Sequence, residues 1–168
     1  MLGSEFRRRY QNGERNFAGV DLHDVDLPEM NLTGINLSHA NLSEINLNSA
    51  YLDGANLSRA NLQSAELRRA SLDQANLSNA DLRNADLETA SLVDANLHGA
   101  NFEGAYMVGA SFDRADLRGA ILRGADLRHA DFTDAQLAGA NLRNADLRSA
   151  RLSLAHLEGA DLTGAKRS

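Results

Sequence analysis

From Phe17 to Leu162 every fifth residue is Leu, Phe or Met, and 25 of these 30 positions are Leu. The exceptions are Phe17, Phe102, Met107, Phe112 and Phe132. Each of these residues can be taken as the centre of a five-residue unit. The position two before the centre is Ala in 24 consecutive units, Ala50 to Ala165, after a bulkier opening set that includes Val20, Val25, Met30, Ile35 and Ile45. The residue just before the centre is mostly Asn or Asp, and the two after it are polar and variable.

Neither a regular helix nor a straight strand accommodates this period. On an α-helix five residues advance by about 140° beyond a full turn, so the leucines would spiral around the axis and share no face. On a straight strand an odd period sends successive leucines to opposite sides. The pattern closes when each unit is a short extended stretch followed by a corner. The centre and the residue two before it then point inward, the residue between them points outward, and the last two turn the chain. Of the 13 glycines, all but Gly3 and Gly13 fall at the final position of a unit, where a turn with positive φ favours Gly or Asn. Four corners close a coil of 20 residues, which gives about 7.5 coils and a rod of about 36 Å at a strand spacing of ~4.8 Å.

Units such as Ala40-Asn41-Leu42-Ser43-Glu44 and Ala85-Asp86-Leu87-Glu88-Thr89 resemble the Ala-(Asp/Asn)-Leu-x-x repeats of the pentapeptide repeat proteins. The resemblance spans residues 16–165 without a break in register. It implies an all-β solenoid, the right-handed quadrilateral β-helix of that family; the handedness and the square section come from the resemblance. The opening segment Tyr10 to Phe17 is similar to the lead-in of cyanobacterial members. The expected division is a capping helix with lead-in over 1–15, the β-helix over 16–165 and a tail over 166–168.

The first residues read as a short helix over 4–12. Ser4 is expected as its N-cap, Glu5 sits near its positive end, Arg7, Arg8 and Arg9 follow, and Gly13 is the stop. Phe6 and Tyr10, four apart, would share one face over the open end of the cylinder, where a solenoid otherwise exposes core and unpaired backbone. After Leu162 and Ala165 come Lys166, Arg167 and Ser168, with no comparable cap. The expectation there is either a homodimer through the C-terminal end or a truncated chain.

The repeated Leu and Ala are explained by packing, so functional candidates lie among the outward residues. Stacked at 20-residue spacing, Asn16, Asn36, Asn56, Asn76 and Asn96 read first as a ladder bonded to itself or to turn backbone. Arg123, Arg128, Arg143 and Arg148 form a two-by-two grid on adjoining faces, with Asp126 and Asp146 between the columns. This reads as a solvated charge ladder or as a site for an anionic partner. Tyr106, Val108 and Ile121, within one coil of one another, are the candidate apolar contact.

Other chemistry finds no foothold. The chain has no Cys, its five His are scattered without metal-ligand spacing, and no inward position supplies a polar group, so neither catalytic residues nor a cofactor nor a metal site is expected. The N-terminus lacks a secretory pattern and no run spans a membrane, which suggests a cytoplasmic chain without membrane contact. A net charge of −6 argues against direct nucleic-acid binding.

Two functions lead, beside a purely structural or assembly role. The first is a non-enzymatic rod that binds a protein partner through an outer face. The alternative, implied by resemblance to the quinolone-resistance members of the family, is a DNA mimic acting on a type II topoisomerase such as gyrase. Charge weighs against the second: DNA carries about 21 charges over the rod's length, whereas residues 16–165 carry 21 acids and 11 bases, a net of −10. The chain also lacks that group's C-terminal helix and any loop that interrupts the repeats.

Overall fold

A computed structural model describes residues 1–167. Among the described residues beyond the first helix there are no extended strands. Each five-residue unit contributes one bridge residue to a parallel partner 20 residues on, from Asn16 with Asn36 through Asp146 with Lys166. The coil therefore has 20 residues and four sides, as the resemblance implies, and its sides stack into four walls.

One unit shows how the backbone is satisfied. The Leu32 N–H donates to the Tyr51 carbonyl of the next coil at 2.7 Å, and the Tyr51 N–H donates back to Met30 at 2.9 Å. Gly34 N–H reaches Asp53 at 2.9 Å, and Ile35 N–H closes the corner on the Leu32 carbonyl at 3.1 Å. At every corner from Gly19 to Gly164 the final residue of the unit has positive φ, 64–74° at glycines and 55–60° at the others. The glycine pattern thus marks the corners, but Asp, Glu, Arg, Thr and Leu occupy the same conformation.

Inside, the Leu and Ala columns form one core, and among the described residues no polar or charged side chain is buried. One coil departs from the repeat. Phe102 and Phe112 meet edge to face across the core, with centroids 6.4 Å apart, and Phe112 stacks on Phe132 of the next coil at 4.8 Å, 4° from parallel. Met107 fills the wall between the first two.

Helix α1 spans Gly3–Gln11 and closes one end. The expected N-cap is wrong. Leu2, not Ser4, is the N-cap; its carbonyl accepts the Phe6 N–H at 3.0 Å, and no side chain caps the helix. The helix start is set by packing: a Cβ on Gly3 would come within 2.8 Å of Val25 Cγ1, so the glycine lets the first turn lie down on the coil. The stop falls where the sequence puts it. Gly13 has φ of 93°, and the Gly13 and Glu14 N–H groups return to Tyr10 and Arg9, the paired bonds of a Schellman ending. Phe6 is fully buried, with its ring centroid 4.6 Å from that of Phe17. At the opposite end Leu152, Leu157 and Leu162 are only half-buried.

Candidate functional site

The outward Asn and Asp before each centre do two jobs. Their Oδ1 accepts the backbone N–H two residues on, as in Asn36 with Ser38 and Asn56 with Ser58, both 3.1 Å, which holds the start of the corner. Some also bond along the stack, as Asn36 Nδ2 does to Asn16 Oδ1 at 2.8 Å. Both readings of the Asn ladder are therefore met, chiefly by the turn backbone.

Where such an Asp is followed two residues later by Arg, the unit neutralises itself. Arg128 donates from Nε and Nη2 to the two carboxylate oxygens of Asp126 at 2.8 and 2.7 Å, and Arg148 grips Asp146 the same way. The Arg128 hydrogen bond holds the Asp126 carboxyl below the usual carboxylate range, and the matching bond from Arg148 takes Asp146 down to about 2. Arg123 lies 3.5 Å from Glu103, and Arg143 lies 3.2 Å from Asp161. All four arginines of the grid thus have carboxylate partners within the chain.

The wall of Tyr106 breaks this arrangement. Its bridge column runs Asp86, Tyr106, Asp126, and the column two residues further on runs Arg68, Glu88, Val108, Arg128. On the coil above Val108, Arg128 folds across the trough between the columns to reach Asp126; Arg68 crosses it from below to Asp86 at 2.6 Å. Val108 has no donor to do so. The trough stays open there as a groove of about 320 Å³ lined by those seven residues. Its framework is rigid, because the Tyr106 N–H donates to Ala85 at 2.9 Å and its carbonyl accepts from Leu87 at 2.7 Å.

The sequence candidates therefore separate. Tyr106, Val108 and Arg128 line the groove, and Arg148 continues the same wall one coil on. Arg123, Arg143 and Ile121 lie on the adjoining wall, where Ile121 is half-buried between Asn101 and Asn141. Arg68, Asp86 and Glu88 were missed; counting back by 20 from Arg128, Val108 and Tyr106 would have found them. No group of three or more His, Asp or Glu among the described residues is placed to hold a metal ion. No helix there is long and apolar enough to cross a membrane.

The stacked five-residue coils define a class of β-solenoid, and comparison with known proteins identifies it. The chain matches the family described as pentapeptide repeats (8 copies) over residues 95–134 and 130–166, and the pentapeptide repeat region over 20–97. It belongs to the pentapeptide repeat family. Among solved structures it is similar to HetL of the cyanobacterium Nostoc sp. strain PCC 7120, a pentapeptide repeat protein involved in heterocyst differentiation regulation. The two are 30% identical over 99% of this chain and 94% of HetL, with a TM-score of 0.69. It is also similar to a pentapeptide repeat protein of the Arabidopsis thaliana thylakoid lumen, at 42% identity over 54% of this chain and 63% of that one, with a TM-score of 0.52. The fold is the right-handed quadrilateral β-helix of these proteins. A comparison with curated proteins finds no match.

Proposed function

We propose that the chain is a non-enzymatic rod that binds another protein through the wall bearing Tyr106. One observation carries this reading. The inside is nearly invariant and many of the outward Asp and Arg pair with one another, yet at Tyr106 and Val108 the polar columns open into a groove with apolar and charged walls. A solenoid presents its binding surface in this way, on variable positions held by a constant core.

The test is affinity capture from a lysate of the source organism with the wild type, a Tyr106→Ala, Val108→Ser variant, and Tyr51→Ala as a control on another wall. A partner held by wild type and control and lost by the double variant supports the reading. A partner held equally by all three overturns it. Loss only with Arg123, Arg128, Arg143 and Arg148 all changed to Glu moves the surface to the arginine grid, and capture of topoisomerase subunits turns the reading to the DNA mimic.

Self-association is a second, separate reading, favoured by the half-buried Leu152, Leu157 and Leu162. Light scattering that gives twice the chain mass, reduced to one by Leu157→Glu, supports it; a single-chain mass at all concentrations sinks it.

A further inference from the structure

We infer that the groove around Tyr106 receives a cationic side chain, arginine or lysine, from an extended segment of the partner. This rests on the reading that the Tyr106 wall is the docking surface, and adds the chemistry of what docks there.

The groove's own charges decide the sign. Two guanidinium groups line it, and both are engaged: Arg68 Nε on Asp86 at 2.6 Å, and Arg128 on both oxygens of Asp126. A carboxylate or phosphate entering the groove would meet guanidinium groups whose charge Asp86 and Asp126 already balance, together with the further negative charge of Glu88. Three carboxylates face the two guanidinium groups, so the lining carries one excess negative charge. That excess is localised. Glu88 approaches Arg68 only to 3.7 Å and its side chain is 48% exposed, leaving its oxygens open to a further donor.

Tyr106 supplies the other half of the recognition. The residue is 57% exposed and occupies the bridge position between Asp86 and Asp126, whose charges Arg68 and Arg128 balance, so the carboxylate left to add to the attraction of its ring is Glu88. An aromatic face attracts Lys and Arg through its quadrupole, and more strongly where carboxylates add to the potential. Val108, next to Glu88 on the same column, offers apolar surface to the methylene stem that both side chains carry. From Asp86 through Tyr106 to Asp126 the seat spans three coils along the rod axis, about 10 Å at strand spacing, which suits one side chain of an extended segment.

The experiment uses the whole chain labelled with 3-fluorotyrosine. Its three tyrosines, Tyr10, Tyr51 and Tyr106, give three fluorine resonances, assigned through Tyr106→Phe and Tyr51→Phe. The probes are two capped peptides, acetyl-Gly-Arg-Gly-amide and acetyl-Gly-Glu-Gly-amide. The arginine peptide is expected to move the Tyr106 resonance saturably while Tyr51 stays, and Glu88→Gln is expected to weaken that binding about fivefold. Glu88 is exposed, so an unchanged thermal midpoint confirms that the variant folds. If the glutamate peptide moves Tyr106 and the arginine peptide does not, the cation assignment falls while the docking wall stands. If neither moves Tyr106 more than Tyr51, both fall. An affinity unchanged by Glu88→Gln also overturns the assignment.

Discussion

The Tyr10 hydroxyl donates to the backbone carbonyl of Asn31 at 2.6 Å. In later coils the equivalent carbonyl accepts an N–H from the coil before, as Tyr51 does from Leu32. In the first coil no earlier turn exists, and helix α1 supplies the donors instead: Arg7 Nη2 does the same for Asp26 at 2.7 Å. The helix is therefore a hydrogen-bonding lid as well as an apolar one.

Tyr10→Phe keeps the ring beside Phe6 and removes only this bond. It is expected to cost about 1 kcal/mol, read from the denaturant midpoint. Phe6→Ala empties the buried side of the lid and is expected to cost ~3–5 kcal/mol.

The Phe112 and Phe132 stack gives a second test. Phe112→Ala leaves a cavity between two coils, with an expected loss of ~3–5 kcal/mol. Phe112→Leu restores the residue that most units use and is expected to cost under about 1.5 kcal/mol. Equal losses in the two variants would contradict a packing role for the stack.

Corners carry stored strain where the residue is not glycine. Thr89, β-branched, sits at φ of 57°, and Thr89→Gly is expected to raise stability by about 0.5–1 kcal/mol, net of the entropy of glycine in the unfolded chain. The reverse holds at Gly104, where an added Cβ would meet Asn84 Oδ1 at 2.7 Å with φ at 68°. Gly104→Ala is expected to lower the thermal midpoint.

The Asp–Arg units make the rod sensitive to acid. Asp146 titrates at about 2 because Arg148 bonds its carboxylate from the side chain and then from the backbone N–H, with the charges of Arg148 and Lys166 adding to this against partial desolvation. Its folded pKa lies below the unfolded value of about 3.9. The stability it contributes is therefore complete above that unfolded value and is lost as pH falls toward 2. Asp94, Asp116, Asp126 and Asp161 are shifted in the same direction. Thermal midpoints are expected to be flat near neutrality and to fall steadily below about pH 4, with a shallower fall in Asp146→Asn.

The fold was legible because the repeat leaves one consistent solution. Leu at every fifth position excludes helix and straight strand, and Gly13, as a helix stop by type, marked the end of the cap. The start of the cap was not legible, because Ser4 is a good N-cap by type but Gly3 must approach Val25, a contact 22 residues away. The site was partly legible. Tyr106 and Val108 stood out as departures from polar columns and Arg128 as a member of the arginine grid, whereas Arg68, Asp86 and Glu88 conform to the repeat and gave no signal of their own.

The sequence by itself determined the five-residue unit, the inward and outward assignment, the corners and the constant core, since each follows from a strict period acting on apolar burial, whereas the closure of four units into one coil is seen in the bridges 20 residues apart. The tertiary structure alone decided which outward charges are spent on one another and which remain open. Arg128 and Arg148 are close to carboxylates in sequence, but Arg68 reaches Asp86 only because 18 residues nearly complete a coil. Whether a long side chain crosses the trough or leaves it open depends on side-chain reach between neighbouring coils, and Val108, too short and without a donor, leaves the gap.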